Sequence, residues 1–188
     1  MKKIVIIGPE STGKSTLTLQ LAEHYQTYSC PEYAREYLLA NGKDYTYDAL
    51  LTIAKGQLDL EKKCELQVTA TKTNKGKLPG KQSITPVLFI DTDMYVMKVW
   101  CEYVFGKCHQ FILNEITARK YDAYLLCNID LPWVKDALRE YPDEQPRKEL
   151  YYIYKDILIN QSTPWIEISG NYQQRLSTAI EFINKTIL

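Results

Sequence analysis

Short apolar runs alternate along this chain with longer stretches in which apolar residues recur every three or four positions. Lys3–Ile7 is a β-branched run that stops at Gly8, the pattern of a strand buried on both faces. Ser15–Tyr25 follows, with Leu17, Leu21 and Tyr25 at helical spacing. Thr27–Cys30 predicts a second short strand closed by Pro31, and Glu32–Ala40 a helix ended by the pair Asn41-Gly42. Tyr47–Thr71 predicts one long helix through Leu50, Leu51, Ile53, Ala54, Leu58 and Leu66, with Gly56 a weak point inside it. Val87–Ile90 is an interior strand ending in Asp91-Thr92-Asp93, and helices follow across Met94–Phe105 and Gln110–Lys120. Asp122–Asn128 is another strand. Pro132–Glu140 and Arg147–Asn160 predict two helices flanking the charged break Tyr141–Pro146. Trp165–Ile168 is a last strand, and Gln173–Ile187 a closing helix with Leu176, Ile180, Ile183 and Ile187 facing inward. Short strands separated by helices predict a three-layer α/β fold, with a parallel sheet of about five strands covered on both faces.

One stretch breaks the alternation. Thr71–Pro86 holds Lys72, Lys75, Lys77 and Lys81, no acidic residue, and the turn formers Asn74, Gly76, Pro79 and Gly80, which predicts an exposed flexible insertion. Neither an internal repeat nor a domain linker is visible, so the 188 residues predict one domain spanning 1–188.

Composition narrows the class. Hydrophobic residues at 45% and charged residues at 24% are globular values. Lys+Arg 23 balances Asp+Glu 23, so there is no basic excess and no nucleic-acid partner is expected. No apolar run is long enough for a bilayer, and the signal-like start Met1-Lys2-Lys3 stops at Gly8-Pro9-Glu10, so a cytoplasmic protein without membrane contact is expected. Cys30, Cys64, Cys101, Cys108 and Cys127 form no C-x-x-C pair, and His24 and His109 complete no zinc spacing with them; free thiols in a reducing compartment are expected.

The chemistry concentrates in Gly8-Pro9-Glu10-Ser11-Thr12-Gly13-Lys14-Ser15, a full match to G-x-x-x-x-G-K-S/T between a β-branched strand and an amphipathic helix. Gly8 and Gly13 let the backbone turn so that successive N–H groups point into a phosphate-sized cavity, and the helix N-terminus adds partial positive charge. Lys14 is expected to reach the β- and γ-phosphates of ATP and the Ser15 hydroxyl to ligate Mg2+. The nucleotide-contacting set is then Gly8, Pro9, Glu10, Ser11, Thr12, Gly13, Lys14, Ser15 and Thr16. Val87–Asp91, four apolar residues and an acid, has the form of a Walker B strand, with Asp91 on the Mg2+ side. Asp93 either shares that work, reaches an acceptor, or simply caps the next helix.

Kinases, ATPases and GTPases all use this loop. A guanine-specifying N-K-x-D is missing, since the candidate strand ends Asn128-Ile129-Asp130. A mechanical ATPase needs more chain for coupling. A small kinase needs an acceptor pocket and a mobile lid with arginines, and Leu131–Leu150, carrying Arg139 and Arg147, is the candidate lid.

With Pro31-Glu32-Tyr33-Ala34-Arg35-Glu36-Tyr37, Gly56-Gln57, Phe89-Ile90-Asp91-Thr92-Asp93, Trp133–Arg139 and Gln145-Pro146-Arg147 in view, nearly the whole chain resembles a known family. It is similar to the ribosylnicotinamide kinase domain of the bifunctional NadR-type NAD biosynthesis proteins, also grouped as a NadR-like AAA ATPase domain. The resemblance implies a thymidylate-kinase-like fold with a helical lid. It further implies transfer of the γ-phosphoryl of ATP to the 5′-hydroxyl of nicotinamide riboside, giving nicotinamide mononucleotide. It implies that Glu32 and Arg35 face the acceptor and that Arg139 and Arg147 are lid arginines. From the residues alone, Glu32 equally reads as a first-turn acid complementing a helix dipole, and Arg35 as a solvated helix residue. The chain departs from the bifunctional proteins in lacking their H-x-G-H nucleotidyltransferase motif, so adenylyl transfer is not expected, and no helix-turn-helix is present. It also carries Pro31 where those proteins carry an aromatic residue. Tyr33, Tyr37, Trp100 and Trp133 are the stacking candidates, residue types that serve a core equally well.

Two other functions share these features: a P-loop kinase of another nucleoside or nucleotide, and an ATP-responsive binding module without kinase activity. A monophosphate acceptor calls for extra cations, and only Arg35 and Arg119 precede the lid among the arginines.

Overall fold

The structure is a computed structural model that describes residues 1–74 and 85–188. Five parallel strands, β1 (Lys2–Ile7), β2 (Tyr28–Cys30), β3 (Val87–Asp91), β4 (Ala123–Cys127) and β5 (Trp165–Ile168), form one sheet in the order β2-β3-β1-β4-β5. The helices are α1 (Lys14–His24), α2 (Tyr33–Asn41), α3 (Tyr47–Asn74), α4 (Met94–Phe105), α5 (Gln110–Ala118), α6 (Glu144–Ile159) and α7 (Tyr172–Thr186).

Alternate residues of the strands feed two cores. Ile4, Ile6, Phe89, Leu125 and Ile168 pack under α1 and α7 through Leu17, Leu21, Ala179 and Ile183. Val5, Ile7, Leu88, Ile90 and Leu126 pack under α3, α4 and α6 through Val68, Val99, Tyr154 and Leu158. Both faces of the central strands are therefore dry, which is why they read as unbroken apolar runs rather than alternating ones. A third cluster, away from the sheet, joins α2 to α5 through Ala34, Ile53, Met97 and Ile112.

Gly56, the weak point of the long helix, has a packing reason. A Cβ there would meet the Tyr33 ring at 2.1 Å, so glycine lets α2 lie against α3. Next to it, Gln57 accepts from the Tyr33 N–H (2.7 Å) and donates to the Pro31 carbonyl (3.2 Å), fixing the chain on either side of Glu32.

Two expectations change. The helix expected across Pro132–Glu140 does not form; the segment is irregular, and the next helix starts at Glu144, ahead of Arg147. The lid candidate is thus irregular chain followed by α6 rather than helical throughout. Pro146 sits inside the first turn of α6, where its missing N–H has no helical partner to lose. The insertion expected across Thr71–Pro86 lies mostly outside the described residues, and α3 runs on through Asn74. Among the described residues no helix is long and apolar enough to cross a membrane, and Cys30, Cys64, Cys101, Cys108 and Cys127 are free thiols.

Candidate active site

β1 lies between β3 and β4, so the chain leaves it toward opposite sides, and the crevice at the C-terminal strand ends opens there. A cavity of about 400 Å³ fills that crevice. Its floor is the loop from Gly8 to Thr16, and its far wall holds Pro31, Glu32, Arg35, Trp100, Tyr103, Tyr141 and Tyr154.

The loop's shape follows from its glycines. Gly8 has φ +145°, and a Cβ on it would sit 2.8 Å from the Cys127 carbonyl oxygen of β4. Gly13 has φ +79° and lies against Leu131 and Tyr172. The Thr12 hydroxyl donates to the Pro9 carbonyl (2.7 Å), and Lys14 Nζ folds over the loop to the same oxygen (2.8 Å). A lysine on one neutral carbonyl can exchange it for phosphate oxygens, which bind it with a charge-assisted bond.

Ser15 Oγ donates to Asp91 Oδ2 (2.5 Å), joining the start of α1 to the end of β3. Asp91 Oδ1 is buried without a hydrogen-bond partner among the described residues. No group of three or more His, Cys, Asp or Glu among them is placed to hold a metal. A hydroxyl beside an orphaned carboxylate oxygen is instead a hard, partial donor set, which suits Mg2+ completed by phosphate and water.

Glu32, just past β2, is half-buried in the same cavity. Burial raises its pKa, and the Asp91 charge raises it further, against the pull of Lys14 and Arg35. Burial also raises Asp91, opposed by Lys14 and the Ser15 hydrogen bond. A carboxylate raised by burial and by a neighbouring negative charge holds a proton more readily, which is the property a general base at Glu32 needs. Arg35 is exposed at the rim and makes a bidentate pair with Asp136 (3.2 and 3.0 Å).

Asp93 does not line the cavity. It is 1% exposed and caps α4, accepting from the N–H groups of Tyr95 (3.0 Å) and Val96 (3.3 Å) on Oδ1 and from the Tyr124 hydroxyl (2.9 Å) on Oδ2. Of its expected roles, the helix cap is the one its contacts fill. Burial pushes its carboxyl up to about 6.

The segment Leu131–Asp143 lies over the loop. Ser11 Oγ accepts from the Val134 N–H (2.9 Å), and Glu10 accepts from the N–H groups of Glu140 (3.0 Å) and Tyr141 (2.5 Å). Tyr45 donates to Glu140 (2.9 Å). Arg139 lines the cavity, with Nη1 on the Val134 carbonyl. Arg147 does not line it: the side chain is buried beneath the segment, with Nη2 at 3.4 Å from the Leu131 carbonyl and Nε unpaired among the described residues.

Of the stacking candidates, Trp100 lines the cavity, held by its Nε1–H on the Tyr45 hydroxyl (2.9 Å), while Tyr33 and Tyr37 pack in the α2–α5 cluster and Trp133 does not reach the cavity. Tyr103, Tyr141 and Tyr154 complete the aromatic wall and were not singled out from the sequence. Arg175 was missed too. It is 1% exposed and donates to the carbonyls of Thr12 (3.0 Å), Asn128 (3.1 Å) and Gly170 (2.7 Å) and to Asp130, tying the phosphate loop to the ends of β4 and β5. Its signal was available: Arg175, Ala179 and Ile183 recur at helical spacing, which puts a charge on the apolar stripe of α7.

Fold and loop together define a P-loop nucleotide-binding domain. The family model described as an AAA domain matches residues 3–175, and the chain belongs to that family. It is 27% identical over 98% of its length to the trifunctional NAD biosynthesis/regulator protein NadR of Escherichia coli K12, and 26% to that of Salmonella typhimurium. It spans 42% of the length of each, so it matches a NadR-like domain rather than the whole of those proteins. A crystal structure of NadR protein in complex with NR shares the fold with a TM-score of 0.74 at 23% identity, covering 98% of this chain and 49% of that one. Thymidylate kinase from Ehrlichia chaffeensis gives 0.61 at 13% identity, with 97% and 98% covered.

Proposed function

We propose that this chain is an ATP- and Mg2+-dependent kinase that phosphorylates the 5′-hydroxyl of nicotinamide riboside, yielding nicotinamide mononucleotide. The observation that carries this is the single cavity joining the phosphate loop to an aromatic-walled end with Glu32 between them. Similarity to NadR, and to a NadR protein whose structure contains NR, supports the choice of acceptor.

The loop N–H groups and Lys14 bind the β- and γ-phosphates. Ser15 and Asp91 would hold Mg2+, which would supply charge neutralisation at the phosphates. The acceptor ribose lies against Glu32 with its base among Trp100, Tyr103, Tyr141 and Tyr154. As the hydroxyl oxygen bonds to the γ-phosphorus and the bond to the β-phosphate oxygen breaks, Glu32 takes the hydroxyl proton and ADP leaves. The lid comprises the irregular segment after Leu131 and the first turns of α6, to about residue 150. Its Arg139 meets the charge spread over the transferring group, and Arg147 anchors the segment from beneath. Arg35, a cation at the rim of the cavity, is already paired with Asp136, which favours a nucleoside over a nucleoside monophosphate.

The test is ADP release from Mg-ATP across a panel of nicotinamide riboside, thymidine, thymidylate and other nucleosides. Turnover led by nicotinamide riboside is expected. Turnover led by thymidylate would reassign the acceptor, and ATP binding with no acceptor-dependent ADP would make the chain a binding module.

A further inference from the structure

An acidic residue inside a phosphate-binding loop is an electrostatic oddity. The loop N–H groups, the α1 terminus and Lys14 all favour negative charge, so a carboxylate turned inward would compete with the phosphates. Glu10 lines the cavity, but its carboxylate is committed to the roof. Its Oε2 accepts from the Glu140 N–H at 3.0 Å and its Oε1 from the Tyr141 N–H at 2.5 Å.

Those two N–H groups need partners from outside, because the segment around them belongs to neither helix nor sheet. What they hold in place is specific. Arg139, one residue earlier, and Tyr141 itself both line the cavity. Ser11, the next loop residue, holds the other end of the stretch through the Val134 N–H. Side chains from adjacent positions of the phosphate loop therefore grip both ends of the segment that carries Arg139.

We propose that Glu10 is a positioning residue that registers the lid on the phosphate loop, setting Arg139 and Tyr141 in the cavity rather than binding nucleotide itself. This rests on the reading of the chain as a kinase with that lid. One element then places both the phosphates and the arginine that meets them, so phosphate position and lid register cannot drift apart.

The test compares wild type, Glu10→Gln and Glu10→Ala in three measurements. These are steady-state kinetics with Mg-ATP and nicotinamide riboside, ATP affinity by calorimetry, and the rate of tryptic cleavage after Lys135 and Arg139 without nucleotide. Glu10→Ala is expected to lower kcat by about 10- to 100-fold, the scale of a small misplacement of a catalytic group, with ATP affinity within about threefold. Its lid should be cut faster. Glu10→Gln, the isosteric variant, keeps one acceptor oxygen and is expected to fall between the two in kcat and in cleavage rate. ATP affinity that falls in step with kcat would make Glu10 a nucleotide contact and overturn the proposal. Wild-type kcat and cleavage in both variants would overturn it equally. If the wild type phosphorylates no nucleoside, the kinase reading fails instead, and the cleavage rates, which need no turnover, still decide whether Glu10 holds the lid.

Discussion

The floor of the cavity and its roof are built on different principles. The floor is an excursion of a buried strand. Gly8 is pressed against β4, Ser15 is bonded to the end of β3, and Arg175 ties Thr12 to the ends of β4 and β5. The roof, Leu131–Asp143, has no ladder of its own and is held by scattered contacts, chiefly Glu10, Ser11 and the Arg35–Asp136 pair. The exposed Arg35–Asp136 pair contributes little, on the order of 1 kcal/mol or less, and without a ladder the roof is the part expected to move. A kinase needs this division: phosphates held by a preorganised floor, and a cover that opens to exchange substrates.

Breaking the floor should have the largest effect. Lys14→Ala is expected to cost at least about 100-fold in turnover with the melting temperature nearly unchanged, since the side chain serves phosphate charge and not the core. Near-wild-type ADP production by a folded variant would show that the loop is not catalytic.

Loosening the roof should matter less, and Arg139 within it should separate from Arg147 of α6 beneath it. Arg139→Ala is expected to lower kcat about tenfold or more with little change in the acceptor KM, because its charge meets the transition state. Arg147→Ala should instead destabilise the lid, seen as faster tryptic cleavage, because that guanidinium is buried beneath it. Should Arg139→Ala raise only the acceptor KM, it is a binding residue.

The smallest effect sharpens the boundary of the site. Asp93→Asn keeps a capping oxygen and should leave turnover within a few-fold of wild type. The folded-state pKa of about 6 lies above the ordinary 3.8, so folding takes up a proton between those values. Asp93 therefore costs increasing stability as pH rises through that window, and the cost is complete above it. Melting temperatures at pH 4.5 and 7.5 should show the variant gaining on wild type at the higher pH. A loss of turnover without a loss of stability would return Asp93 to the catalytic set.

The floor was legible in the sequence because its signals are local: a β-branched run, two glycines at fixed spacing, and an acid at the end of Val87–Ile90. The roof was not. Trp133, Val134, Ala137 and Leu138 do carry a helix-like apolar pattern, but the N–H groups of Val134, Leu138, Glu140 and Tyr141 are taken by Ser11, Asp136 and Glu10. Ser11 and Glu10, both distant in sequence, and Asp136, two residues before Leu138, outbid the helix for its own donors, and no local pattern records the distant pair. The aromatic wall was hidden for a similar reason. Tyr103, Tyr141 and Tyr154 come from α4, the roof and α6, and only the fold brings them together. Arg175 belongs to the same class, a charge whose partners are the carbonyls of three separate turns.

The central claim is that floor and roof enclose a phosphoryl transfer to nicotinamide riboside. Incubating the protein with Mg-ATP and nicotinamide riboside and following phosphorus NMR tests it directly. The account predicts ADP and a new 5′-phosphomonoester of the nucleoside in equal amounts, with neither formed by Lys14→Ala. Bound ATP that persists without any phosphomonoester, at saturating nicotinamide riboside, would contradict it.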